Sequence, residues 1–118
     1  MPALHDVLVA LANRPDAAGA LVLSDEGLVI DSALPRGGVD VDAAAALAAT
    51  AQRALAGLGE ALRHGPAREV VVDGRDGAAI LHRLPSGATL LLIAAPGGDL
   101  GGLLHDLRRH GSAFAELV

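Results

Sequence analysis

The residues that could do chemistry in this chain are few, and their spacing is wrong for it. Lysine is absent, so all nine cations are arginines. A phosphate loop that ends in Gly-Lys-Ser/Thr therefore cannot be built, because its lysine is what reaches the phosphates. Cysteine is absent too, which removes disulfides, thiolate metal sites and cysteine nucleophiles. The histidines are His5, His64, His82, His105 and His110. The last two fall on different faces of a helix, and none of the five has zinc-ligand spacing. Ser24, Ser32, Ser86 and Ser112 lack the strand–turn–helix context of a nucleophile elbow. Asp73 and Asp76 flank glycines in a turn too short for a calcium loop. The run Gly97-Gly98-Asp99-Leu100-Gly101-Gly102 precedes a helix but lacks dinucleotide spacing, and it reads as turn chemistry. No catalytic residue, metal ligand or cofactor-binding residue is expected, and the sequence points away from an enzyme.

Composition narrows the field further. The chain has 118 residues, the size of one domain spanning 1–118, with a net charge of −5. Nucleic-acid binders present basic patches and stacking aromatics. Here the balance is acidic and Phe114 stands alone among Phe, Trp and Tyr, so no nucleic-acid partner is expected. The start, Met1-Pro2-Ala3-Leu4-His5-Asp6, has neither a basic segment nor a long apolar one, so it is not a signal peptide. The most apolar helical stretch, 43–59, carries Thr50, Gln52 and Arg53 and is short for a bilayer. A cytoplasmic protein without membrane insertion is the expectation.

The elements that must position these residues follow from periodicity. Leu4, Val7, Leu8 and Leu11 mark one face of a first helix, ended by Asn13-Arg14-Pro15-Asp16. Residues 20–24 and 28–34 read as strands joined at Asp25-Glu26-Gly27, with Gly27 free to take positive φ. Asp40 or Asp42 can cap a long second helix running to about His64, where Gly65-Pro66 stops it. Strands follow at 68–73, 78–84 and 88–95. A last helix carries Leu100, Leu103, Leu104 and Leu107 on one face. It either breaks at Gly111-Ser112 or, with Phe114 in register, runs on towards Val118. The order is α-β-β-α-β-β-β-α. Hairpin connections make the five-stranded sheet mostly antiparallel. Leu90-Leu91-Leu92-Ile93 is apolar at both parities, so that strand lies near the middle with helices on both sides. The fold class is a three-layer α-β-α sandwich.

The second helix is the informative element. A helix on a monomer's surface has one apolar and one charged face, yet no charge occurs between Asp42 and Arg53. Leu47, Ala51, Ala54, Leu55, Leu58 and Leu62 can cover the sheet, which leaves a surface of alanine and glycine that includes Gly57 and Gly59. One reading is that alanine is simply a good helix former whose exposure costs little. The other is that small residues admit a second helix at close range, offsetting the roughly 1 kcal/mol that each glycine costs in a helix interior. Val70-Val71-Val72 points the same way if it forms a sheet edge, because an open apolar edge is a pairing hazard that a symmetric dimer would close. A strand or loop of the same chain could cover that edge instead.

In this order of elements the chain resembles the Roadblock / dynein light chain family, whose fold is also called Roadblock/LAMTOR and is related to profilin-like folds. The matching segments are residues 19–30 (Gly-Ala-Leu-Val-Leu-Ser-Asp-Glu-Gly-Leu-Val-Ile), the alanine-rich helix, Arg68-Glu69-Val70-Val71-Val72-Asp73-Gly74, and 90–96 followed by Asp99-Leu100-Gly101. The resemblance spans about residues 4–110. It implies a scaffold or regulatory module that forms a homodimer, or a heterodimer with a paralogue, through paired second helices and paired third strands. By position, Leu47, Thr50, Ala51, Ala54, Leu58, Val70, Val71 and Val72 would lie at or near the dimer seam. It also implies a small Ras-like GTPase as partner for a bacterial member, and one group within the family acts as a GTPase-activating partner. The alternative is a small-ligand sensor of the GAF/PAS-related kind. Such a sensor needs a pocket between sheet and helix, and the leucine-packed strand argues against one.

Overall fold

The structure is a computed structural model that describes residues 3–115, with side-chain surroundings for residues 3–109. The chain runs α1 (Leu4–Ala12), β1 (Ala17–Leu23), β2 (Val29–Ala33), α2 (Val41–Ala61), β3 (Glu69–Gly74), β4 (Gly77–Arg83), β5 (Thr89–Ala94) and α3 (Leu100–Ala115). This is the order read from the pattern, with boundaries shifted by a few residues. The helix α3 continues through Gly111 and Ser112 to Ala115 rather than breaking there. The expected continuation to Val118 and the surroundings of Phe114 lie outside the described residues.

The strand order is β2-β1-β5-β4-β3, and every neighbouring pair is antiparallel. The strand that is apolar at both parities is the central one, and both of its faces are covered. Leu90 and Leu92 join Ala20, Val22 and Ile80 beneath α1 and α3, whose Leu8, Leu103 and Leu107 are fully buried. Leu91 turns the other way, with Leu21, Leu23 and Leu81, beneath α2. The two cores are unequal in kind. The α1/α3 side is leucine against the sheet, whereas the α2 side is alanine against it.

The two edges of the sheet also differ. The β1–β2 pairing slips between Val22 and Leu23, whose partners are Asp31 and Val29, so Ile30 is an extra residue on the outer strand. A bulge of this sort twists an edge and discourages pairing with another chain. The β3–β4 pairing runs without a shift from Glu69↔His82 to Gly74↔Gly77. That leaves β3 as a regular edge within the described chain.

Local chemistry explains the ends of α2. Of the two candidate caps, Asp40 is used, its Oδ1 accepting from the Ala43 N–H at 3.1 Å. The helix stops at Ala61, short of the expected His64. Arg63 adopts φ 60°, the left-handed region. The His64 N–H donates to the Gly59 carbonyl at 2.9 Å and the Arg63 N–H to that of Glu60 at 3.0 Å, which together close the helix as a Schellman motif. The returning chain then lies directly on Gly59, where a Cβ would collide with the Gly65 carbonyl oxygen. Gly59 is therefore required by its own chain, so it no longer weighs towards a neighbouring helix. Among the described residues, nothing outside the helix's own turns lies within 4 Å of a Cβ placed on Gly57.

The two glycines separate cleanly in a test. Gly57→Ala should raise stability by up to about 1 kcal/mol, the helix-propensity difference. Gly59→Ala should lower it by about 1–3 kcal/mol, because backbone must move to admit the methyl. Urea midpoints of the two variants check this, and shifts of the same sign would contradict the close contact.

Candidate interaction surface

The candidate site is built on α2 and β3. Its geometry begins with which side of α2 meets the sheet. Ala45, Ala48, Ala49 and Gln52 are the buried residues of the helix, and the alanines sit over Leu21, Leu23, Leu81 and Leu91. The hairpin turn at Gly27, φ 87°, fits under the same face, close to the Ala46 Cα and the Ala49 Cβ. Arg53 fastens the helix to this hairpin by donating to the Asp25 carbonyl at 3.0 Å.

The leucines therefore do not cover the sheet, contrary to the expectation for Leu47, Leu58 and Leu62. They stand outward, with 69%, 52% and 54% of their surfaces exposed. Thr50 and Ala54 are exposed as well, while Ala51 and Leu55 are half-buried. The physical reason is that alanine lets the helix lie close on a leucine-rich sheet, so the thin side goes inward. The outward surface is apolar, as inferred, but it is leucine with alanine rather than alanine with glycine.

Leu47, Ala51, Ala54 and Leu58 share one side of the helix by their spacing, with Thr50 beside them. Along its C-terminal half this side opens into a groove of about 400 Å³ lined by Leu55, Leu58, Gly59, Leu62, Pro66 and Val70, among others. The groove leads directly to β3. There Val70 packs against the α2-side core, and Val71 and Val72 are 44% and 51% exposed. Alternation puts Val72 on the α2 side with Val70 and turns Val71 to the α1/α3 side. The eight residues singled out by position thus fall on two adjoining surfaces, one helical and one a strand edge. Sequence reasoning left Leu62 off this set. Its signal was the leucine spacing 55-58-62 that continues the stripe.

Two polar features border the site. Gln52 is 4% exposed, and neither its amide nitrogen nor its oxygen has a hydrogen-bond partner within the described protein. It lines, with Ser24, Arg83 and Thr89, a cavity of about 10 Å³ between α2 and the sheet, which is about the space one water needs. At the start of β3, Glu69 accepts from the Arg108 Nε at 3.0 and 3.1 Å with its two carboxylate oxygens. Arg108 is thus a tie between α3 and the edge strand rather than a free solvated cation. His82, opposite Glu69 on β4, places Nδ1 4.0 Å from that carboxylate. Burial pushes the His82 pKa below its ordinary value, Glu69 opposes this, and Arg68 and Arg108 add to it. Among the described residues no group of three or more His, Cys, Asp or Glu could hold a metal ion. No helix among them is long and apolar enough to cross a membrane.

With this geometry established, the chain can be set beside known proteins. The family model for the Roadblock/LC7 domain matches residues 4–94. MglB of Myxococcus xanthus superposes with a TM-score of 0.86 at 18% identity, covering 96% of this chain and 92% of that one. An MglB with a tetrameric arrangement gives 0.85 at 22% identity, covering 94% and 84%. A Roadblock/LC7 domain from Streptomyces avermitilis gives 0.71 at 25% identity, covering 92% and 98%. No curated relative matches the sequence.

The His82 environment makes folding sensitive to acid in a defined direction. A histidine whose folded pKa lies below its unfolded value of 6.5 binds protons more readily when unfolded, so its contribution is intact above that pH. It is lost as pH falls from there through the folded value. Urea midpoints measured between pH 7.5 and 5 should fall more steeply for the wild type than for His82→Gln. Parallel slopes would show that His82 contributes nothing to the acid sensitivity.

Proposed function

Because the chain belongs to the Roadblock/LC7 domain family, we propose that it is a dimeric regulatory module, a platform that binds a small Ras-like GTPase or that GTPase's regulators. The observation that carries this reading is the join between two unpartnered surfaces. The outward leucines of α2 and the regular β3 edge meet along one groove. A second Roadblock chain, whether identical or a paralogue, would cover the helix stripe and extend the sheet through β3. Its seam would include Leu47, Thr50, Ala51, Ala54, Leu58, Val70, Val71 and Val72. An edge protected by a bulge on β2 and left regular on β3 supports pairing at β3.

The GTPase part of the proposal draws on the family and on the fold shared with MglB. It places the protein in the cytoplasm and assigns it no cofactor and no catalytic residue of its own. A GTPase-activating role belongs within the same reading, the chemistry then lying in the GTPase site that the module reshapes. The ligand-sensor reading gains little, since the cavity beneath α2 has room for about one water.

Light scattering on the purified chain should give twice 11.8 kDa, alone or with a paralogue supplied. Leu58→Glu should run as a folded monomer with wild-type circular dichroism. Half-exposed, Leu58 adds little to the chain's own core, but a glutamate there would be buried unpaired in the seam. A Leu58→Glu protein that assembles like wild type would place the seam elsewhere. Co-elution with a small Ras-like GTPase of the same genome, and the rate of GTP hydrolysis with and without the chain, test the second half. Failure to bind any such GTPase in either nucleotide state would overturn it.

A further inference from the structure

The face that α2 turns to the sheet changes character at its last buried position. Ala45, Ala48 and Ala49 offer methyl groups, whereas Gln52 offers a primary amide. The residue is 4% exposed. Its Nε2 and Oε1 are both sealed from solvent, and neither has a hydrogen-bond partner among the described residues. Leaving a buried donor and a buried acceptor unpaired is unfavourable, and native proteins satisfy such groups with protein atoms or with ordered water. An alanine or leucine at this place would continue the pattern of the helix without that cost. The amide is therefore the feature of the inward face that its own chain leaves unexplained.

Gln52 faces the end of the sheet where β1 and β5 meet. Leu23 pairs with Thr89, and Thr89 with Arg83. Alternation from Leu91 and Leu81 turns Thr89 and Arg83 to the α2 side. Ser24 follows Leu23 into the hairpin, and its Oγ accepts from the Leu28 N–H at 3.1 Å. These residues and Gln52 line the recess of about 10 Å³. Three kinds of small occupant can be compared there. An anion suits the guanidinium groups of Arg53 and Arg83, but it only accepts, so Oε1 stays unpaired. Arg53 is moreover already donating to the Asp25 carbonyl. A cation leaves Nε2 unpaired and meets those two guanidinium groups. Water both donates and accepts. A primary amide carries its oxygen and one N–H on the same side, so one water bonds to both. The volume of the recess is that of about one such molecule.

We propose that Gln52 holds a single structural water between α2 and the ends of β1 and β5. The water accepts from Nε2, donates to Oε1 and bonds on its far side to the Thr89 hydroxyl. It is the polar tie in a contact that is otherwise methyl on leucine. Methyl groups on a leucine surface bring a helix close but set its rotation weakly, because the contact has no direction. A hydrogen-bonded water has direction. With the neighbouring bond from Arg53 to Asp25, it fixes α2 at mid-length to the strand ends. Each chain carries the site by itself, so the proposal stands apart from the dimeric reading.

The chain has one glutamine, Gln52, and one asparagine, Asn13, so its NMR spectrum holds two pairs of side-chain amide signals. Asn13 is exposed and serves as the internal reference. In the wild-type protein the Gln52 amide protons should exchange with solvent roughly ten-fold or more slowly than those of Asn13. They should also show the cross-peak to water that a long-lived molecule gives. A crystal structure of the wild type should place one water within about 3.2 Å of Nε2, Oε1 and the Thr89 Oγ1, and Gln52→Met crystals should lack it. An amide that exchanges as fast as that of Asn13 is turned out to solvent, and the proposal fails. An amide that is slow to exchange but has no water beside it in the crystal is bonded to protein atoms, and the proposal fails equally. Crystals soaked in bromide supply the last arm, since anomalous density for bromide against Gln52 would replace the water with an anion site.

Discussion

The uncovered apolar surface of this molecule depends on how closely α2 lies on its sheet. The contact is made by Ala45, Ala48 and Ala49 over Leu21, Leu23, Leu81 and Leu91. The bulk is supplied by the strands and the helix offers only methyl groups. That division lets the helix backbone come near the sheet, near enough that the Gly27 turn tucks under Ala46 and Ala49. It also leaves the large side chains of α2 no place but the far side. The apolar stripe is thus a direct consequence of the packing beneath it. Exchanging the alanines for leucines would lift the helix and dissolve the relation between stripe, groove and β3 edge.

The other layer has the opposite arrangement. There α1 and α3 bring Leu8, Leu103 and Leu107 down onto the sheet. The tie from Arg108 to Glu69 and the ion pair between Arg14 and Asp106 bind this layer to itself and to the edge strand. One layer therefore supplies a self-sufficient core, and the other carries surface that a single chain leaves uncovered. The strand edges follow the same asymmetry, with a bulge at Ile30 on the β2 side and an unbroken ladder on the β3 side.

The legibility of these features in the sequence divides along physical lines. Strand β5 could be placed at the centre because leucine at both parities has one structural meaning. The hairpins could be placed because Asp25-Glu26-Gly27 and Gly74-Arg75-Asp76-Gly77 are polar, glycine-bearing breaks between apolar runs, and Gly27 takes φ 87°. The rotation of α2 could not be read correctly. A helix that is apolar almost all round carries little information on which side is inward, and the usual preference for large residues in a core gave the wrong face. What would have revealed it is the partner surface: strands already full of leucine need small residues opposite. The role of Gly59 stayed open for a related reason, since its constraint comes from the Gly65 carbonyl brought back by the Schellman turn. Local periodicity carries no trace of that contact. The candidate seam positions come from the family correspondence, which works by position and does not depend on the helix rotation.

The helix stripe and the strand edge are also unequal to the task of assembly when taken singly. Fully burying a leucine contributes about 1.5–3 kcal/mol, and Leu47, Leu58 and Leu62 have only part of their surface left to bury. Association of two chains costs about 4–15 kcal/mol in lost freedom. A few half-exposed leucines per chain sit at the margin of that cost. Strand pairing alone gives backbone hydrogen bonds of modest net worth in exchange for bonds to water. In the proposed dimer the two surfaces, joined through the groove at Val70, would be ordered by one event, so the loss of freedom would be incurred once for both. In the proposed dimer this would make the seam cooperative, its strength residing in the fixed angle between α2 and β3, which the alanine contact with the sheet holds in place.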